Sequence, residues 1–278
     1  MDQLRRLLGP LDDRTRIVAF ATGLAAINGI APNITAGLRE HGVIGLTFSL
    51  AGVSAIFWYA LCVVASIAAE PGDADPARRS DIAFAGLIGL LALVPSAWGG
   101  AIGVLLAGAF LWRRGNRDRR ARRIGLVLLA LTGTLLWGRI LLVVVAPSLL
   151  ETEAQLVAAL AGVPSQGNSV AFAGDAGKFV IAPACSSLHN ISLALILWAS
   201  LTQALDLPAT PRRVAVAVAG MGAMILVNAI RLAMIARFPA HFDSLHYGVG
   251  EQVFGWASLI VAGLVIGAGI YVTKRPAR

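Results

Sequence analysis

Three side chains in the carboxy-terminal half have the types and order that acyl transfer through a thiol needs. Cys185 supplies a nucleophile, Arg231 a fixed positive charge for an oxyanion, and His246 a group that takes and returns a proton near neutral pH. Cys185 follows Ile181, Ala182, Pro183 and Ala184, and Pro183 suits a first helical turn. The thiol is therefore expected at a helix amino terminus, where unpaired N–H groups and the helix dipole lower its pKa below the ~8.5 of a free cysteine. Arg231 lies about seven residues, or roughly 10 Å of helix, before the outer end of its apolar run. Asn228, three residues earlier on the same face, is a second donor. His246 falls in the outside turn ahead of the last apolar run.

Other residues compete for these roles. His189 is four residues after Cys185, expected one helical turn further in on the same face, and is a second candidate base. Ser186 adjoins the thiol as a supporting group. Arg139 sits in the outer half of its run, with a substrate carboxylate, Glu151 or Glu153 as partner. Asp243 and Glu251 are both spaced to orient His246, and spacing does not choose between them; His241 stands five residues before His246. Each also has a bland use: Cys185 as packing, Arg231 reaching for headgroups, the histidines as solvated turn residues. Cys62 reads as a buried filler, too far from Cys185 for a disulfide, whose Cα atoms must lie within ~7 Å. No Cys/His cluster has metal-ligand spacing, so neither metal nor cofactor is expected.

The elements that must position these groups are membrane helices. Of 278 residues, 57% are hydrophobic and 14% charged, against roughly 25% charged in soluble domains. With a mean hydropathy of +0.76, this excludes a water-soluble globule, a disordered chain and a disulfide-stapled fold. Apolar runs occupy Ile17 to Ile34, Val43 to Ala69, Ile82 to Val94, Trp98 to Trp112, Ile124 to Pro147, Cys185 to Leu205, Val214 to Phe238 and Gln252 to Val272. The expected fold is an all-α polytopic bundle of about eight transmembrane helices. Residues 82–112 read as a short hairpin turning near Pro95, Ser96 and Ala97 and drawn tight by Gly99, Gly100 and Gly103, with a single kinked span as the rival reading.

The net charge of +8 reads as topology rather than nucleic-acid binding. Seven arginines against Asp118 between Arg113 and Arg123 supply +6 of it. They mark an inside loop, which alternation then extends to Arg212 and Arg213, to both termini and to a cell-membrane, multi-pass placement. No cleavable leader is expected, because no small-residue cleavage site follows the first run. The chain reads as one integral domain, with amino-terminal helices over 17–147 and a catalytic half over 148–278. Gly263 and Gly267, at GxxxG spacing, suit packing within one chain or between two, so oligomeric state stays open.

The outside loop, 148–184, has two parts. Glu151 to Ala161 shows helical spacing of Leu156, Val157 and Leu160, as in a helix lying in the interface and ended by Gly162 and Pro164. From Ser169 to Ile181, alternation of Val170, Phe172, Phe179 and Ile181 around Gly174, Asp175 and Gly177 predicts a small hairpin.

Gly162-Val-Pro, Gly167-Asn168, Val180-Ile-Ala-Pro-Ala-Cys185-Ser-Ser-Leu, Asn228-Ala-Ile-Arg231, and His246 followed by Gly250 and Phe254 together resemble the exosortase/archaeosortase family. The likeness covers about the last 130 residues. Ser187 stands where the family usually has glycine, which leaves the subfamily open. The resemblance implies a membrane cysteine transpeptidase, its active site on the outer, periplasmic face. Its partners would be exported proteins carrying a carboxy-terminal motif, a transmembrane helix and a basic tail. It assigns Cys185 the nucleophile, Arg231 the arginine and His246 the histidine role. A second reading, from another class, is a membrane scaffold or solute carrier with Arg139 and Arg231 along a polar path.

Overall fold

The computed structural model describes residues 13–48, 50–70, 76–94, 96–114 and 118–274. Pro95 in the expected hairpin turn, Arg117, Arg5 and Arg6 at one end, and Arg275 and Arg278 at the other lie outside them. The described chain is all-α apart from one small sheet. Three helical runs are long and apolar enough to cross a membrane, Arg119–Ala161, Pro211–Arg237 and Val249–Lys274. The bent pair Arg14–Gly29 and Ala31–Glu40, at 49°, makes a fourth if it is one span. Length and composition thus carry three or four of the eight expected crossings.

The chain divides into two compact units, Met1–Trp137 with Ala199–Pro208, and Gly138–Trp198 with Ala209–Arg278. In the first, α1 (Arg14–Gly29) starts at Asp13, whose carboxylate accepts the Thr15 N–H. It stops at Ile30, inside what reads in sequence as one run. α2 (Ala31–Phe48) is broken at Gly42, and α3 (Ala55–Ala69) begins only after Ser54 caps it, so the run Val43 to Ala69 is also two pieces. α4 (Arg79–Leu93) and α5 (Ala97–Arg114) are separate helices, as the hairpin reading requires. The glycines divide their work: Gly99 faces the Leu91 carbonyl of α4, whereas Gly100 lies against the backbone of Ala25 and Gly29 in α1. A Cβ at Gly100 would collide with that backbone, so α1 and α5 meet only because it has none. Cys62 on α3 is exposed rather than a buried filler.

The arginines of this unit are more than topology markers. α6 (Arg119–Thr132) is capped by Asp118. From it, Arg120 pairs with Asp13 at 3.0 Å and Arg123 with Glu70 at 2.6 Å, while Arg14 of α1 meets Asp81 of α4 at 2.6 Å. Burial of Arg14, Arg120 and Arg123 makes these pairs part of the core. Charges taken out of water require such partners.

In the second unit, α7 (Gly138–Ala161) runs straight through Pro147, where the sequence suggested a span ending and a separate interfacial helix beginning. Proline removes one backbone hydrogen bond, a loss that helices of membrane proteins tolerate. The far turns bury Leu150, Glu153, Ala154, Val157, Ala158 and Ala161, whereas Leu156 and Leu160 are exposed. α7 ends in a left-handed Gly162 (φ +69°), with the Val163 N–H returning to the Ala158 carbonyl. A three-stranded antiparallel sheet follows, β1 (Ser165–Gln166), β2 (Ser169–Ala171) and β3 (Lys178–Val180), with Val170 opposite Phe179. This is the hairpin read from alternation, with one strand added.

The remaining helices are α8 (Leu188–Ala204), α9 (Pro211–Arg237), α10 (Phe242–His246) and α11 (Val249–Lys274). Thr210 caps α9, and Pro211 opens it. A single core joins the inner face of α7, Val170, Phe179 and Ile181 of the sheet region, and Ala229, Leu232, Ala233, Ile235 and Ala236 of α9. Cys185, Phe242 and Leu245 pack on this core.

Candidate active site

Local chain chemistry sets the thiol ahead of its helix. Pro183–Cys185 makes one 3₁₀ turn, Ser186 is extended (φ −67°, ψ 146°), and α8 begins at Leu188. Cys185 therefore does not open the helix, and the dipole effect, confined to a helix's end turn, is not what governs it. Burial pushes the Cys185 thiol up, outweighing the Arg231 guanidinium and a backbone hydrogen bond with Ala182. This reverses the lowered pKa expected from sequence. His189 is displaced by the same shift: with Ser186 extended, it shares no helical face with Cys185, and it is exposed.

His246 is brought to the thiol. Its Nε2 lies 3.3 Å from Cys185 Sγ, across 61 residues of chain. Burial, and after it the Arg231 charge, hold the imidazole below its ordinary pKa, against opposing pulls from Glu251 and Asp243. A raised thiol and a lowered imidazole give a pair that rests neutral at pH 7. With its proton on Nδ1, the ring accepts a hydrogen bond from the thiol at Nε2.

Arg231 of α9 acts electrostatically on both members. Its Nε is buried without a hydrogen-bond partner among the described residues, so this donor is free for a group that enters the site. Asn228 is differently employed. Its Nδ2 donates to the Cys185 carbonyl at 2.8 Å and to Ser187 Oγ at 3.4 Å. It supports the nucleophile loop rather than facing a substrate.

Glu153, considered in sequence only as a partner for Arg139, is the residue that sequence reading missed. From α7 its Oε1 accepts the Ser187 N–H at 2.8 Å and the Ser186 hydroxyl at 3.3 Å. Ser186 Oγ in turn accepts the Leu188 N–H at 3.1 Å. The available signal was an acid in register with Ala154, Val157 and Ala158, on a face that had to be buried. Arg139 cannot reach it: Glu151 and Glu153 lie 12 and 14 residues further along the same helix, about 18 and 21 Å at 1.5 Å per residue. Arg139 is exposed and away from the thiol–imidazole pair.

Neither Asp243 nor Glu251 completes a triad, because His246 Nδ1 has no hydrogen-bond partner among the described residues. Ser187 adopts an ordinary negative φ, so serine meets no backbone strain at this position. Among the described residues no group of three or more His, Cys, Asp or Glu is arranged to hold a metal ion.

No curated protein and no solved structure matches the chain. The profile of the transmembrane exosortase family matches it over residues 40–268, which takes in the helices from α3 onward, including the half that carries Cys185, Arg231 and His246. By that match the chain belongs to the transmembrane exosortase family.

Proposed function

We propose that the protein is a membrane cysteine transpeptidase that cuts exported proteins near a carboxy-terminal sorting signal and passes the new acyl end to an acceptor. The observation that carries this reading is the 3.3 Å approach of Cys185 Sγ to His246 Nε2 beside the Arg231 charge.

In the resting pair both groups are neutral. As Sγ attacks the scissile carbonyl, its proton passes to Nε2 and the carbonyl oxygen gains negative charge, which the Arg231 guanidinium stabilises. The imidazolium then returns the proton to the departing amine, leaving a thioester on Cys185. Neutral His246 next takes a proton from the acceptor nucleophile, whose attack releases the product and restores the thiol. Half-burial of the site limits competing water. A substrate helix would lie along the apolar helices among lipid, with its basic tail inside and its cleavage motif at the outer face of the cell membrane. No cofactor, metal or nucleic acid enters the scheme.

Co-expression with a tagged protein ending in a short motif, an apolar helix and a basic tail tests the reading. Cys185→Ala abolishes the mobility shift at unchanged enzyme abundance, and Arg231→Ala and His246→Ala nearly abolish it. Processing that survives Cys185→Ala would overturn the mechanism, and a scaffold or carrier would process nothing in any variant.

A further inference from the structure

Among the described residues, His246 has no third group of the kind that commonly orients a general base. Its Nδ1 is buried without a hydrogen-bond partner among the described residues, yet Nδ1 must carry the proton if Nε2 is to accept from the thiol. What holds the ring is aromatic. Phe242, one helical turn earlier on α10, lies nearly parallel to the imidazole, with centroids 5.1 Å apart and planes at 15°. Tyr247 leans on the ring at 4.2 Å and 56°. Phe242 is itself fixed from outside α10, edge-on to Phe172 at 5.9 Å and to Phe179 at 6.4 Å. Those two stack on each other at 5.3 Å across the β2–β3 hairpin. A ladder of rings therefore runs from the sheet to the imidazole.

We propose that Phe242 is the positioning residue of the thiol–imidazole pair, its ring face doing for His246 what a carboxylate or amide at Nδ1 does in a three-membered site. This rests on Cys185 and His246 being the reacting pair. Stacking fixes the plane of the ring and hence the direction of Nε2. When the thiol proton arrives, the imidazole becomes a cation over an aromatic face, an arrangement that is attractive and more so where water is scarce. The charged and titratable groups facing the ring are Cys185, Arg231 from α9, Asp243 on α10, Tyr247 just after α10 and Glu251 from α11. Arg231 opposes the imidazolium. The two acids favour it only through space, so the rings in direct contact, Phe242 stacked on the imidazole and Tyr247 tilted against it, offset that opposition, and of the two Phe242 presents its face.

The test is the pH dependence of iodoacetamide alkylation at Cys185, in full-length protein held in lipid nanodiscs with Cys62→Ser removing the other thiol. Phe242→Leu slows alkylation at pH 7 by roughly 2- to 30-fold, the range a cation over an aromatic face supplies, and moves the profile to higher pH. Phe242→Tyr keeps the original profile. Because Phe242→Leu also removes packing, a second protein carries pentafluorophenylalanine at position 242, which keeps the ring's shape but reverses its quadrupole. It is expected to lose rate as Phe242→Leu does. An unchanged profile in the fluorinated, folded protein would overturn the proposal. The sorting assay separates the two readings: processing that survives Cys185→Ala overturns the Cys185 mechanism and with it any catalytic use of Phe242, whereas an unchanged alkylation profile in the fluorinated protein overturns the positioning role and leaves the enzyme reading standing.

Discussion

Glu153 Oε1 accepts the Ser187 backbone N–H at 2.8 Å, while Asn228 Nδ2 donates to the Cys185 carbonyl at the same distance. Two helices, α7 and α9, thus grip the loop on either side of Ser186. The backbone that carries the thiol cannot shift without breaking one of these bonds.

Removing the α7 grip has a defined cost. Glu153→Ala leaves the buried Ser187 N–H unpaired, a penalty of about 1–3 kcal/mol. It is expected to lower the thermal midpoint and to cut processing by about tenfold or more, since each ~1.4 kcal/mol of misalignment is a factor of ten in rate. Glu153→Gln keeps an acceptor oxygen and retains processing within about threefold. Equal losses in the two variants would show that charge, not the hydrogen bond, matters at this position.

The pH profile follows from the directions of the two pKa shifts. Protonating His246 removes the base, and that group is held below the ~6.5 of an ordinary imidazole by burial and by Arg231. Activity therefore persists to lower pH than an unperturbed histidine would allow. Ionising Cys185 without protonating His246 removes the acid that the leaving amine needs, and burial holds that thiol above its ordinary value. The alkaline limb moves up accordingly. The result is a broad bell whose limbs belong to the coupled pair, measurable as kcat/KM against pH. A narrow bell centred between ordinary imidazole and thiol values would contradict a neutral resting pair.

Arg231 offers a separation of binding from chemistry. Because its Nε has no hydrogen-bond partner among the described residues, its donors are available to charge that develops only during attack. Arg231→Ala is expected to lower kcat by about 10²–10³ with KM little changed, the size seen when an oxyanion donor is removed. Arg231→Lys restores little, because a point charge lacks the guanidinium fork. A raised KM at unchanged kcat would instead make Arg231 a ground-state binding group.

What could be read from sequence follows a physical division. Cys185, Arg231 and His246 stand out because polar groups are scarce among the apolar runs, and scarcity needs no knowledge of the fold. The hairpin at Ser169 to Ile181 shows because alternation and turn glycines are local signals. Glu153 did not stand out as a loop anchor, since its partners lie 33 and 34 residues away on a loop. Pro183 suits a 3₁₀ turn as well as an α-helix, so its sequence signal points to a helix at Cys185, and only the extended Ser186 distinguishes the two. Pro147 signals a break in sequence because proline usually ends helices in water, yet α7 continues through it.

The arginines give the last case, in which sign was legible and partnership was not. Arg14 and Asp81 are 67 residues apart, with Asp81 fully buried and its Oδ2 accepting from Arg14 Nε at 2.6 Å. Positive-inside reasoning reads Arg14 as a solvated marker. Buried pairs behave otherwise: loss of one member strands the other and costs about 3–5 kcal/mol, whereas loss of both costs far less. Asp81→Asn tests this cleanly, because asparagine still offers an oxygen to the Arg78 N–H that Asp81 caps at 3.0 Å. Asp81→Asn and Arg14→Gln are each expected to lower the thermal midpoint and abundance, while the double variant recovers part of the loss. Purified folded Asp81→Asn protein should alkylate at Cys185 at the original rate, since no step of the thiol chemistry uses Asp81. Single-variant losses that simply add in the double variant would show that Arg14 and Asp81 are neighbours without being an energetic pair.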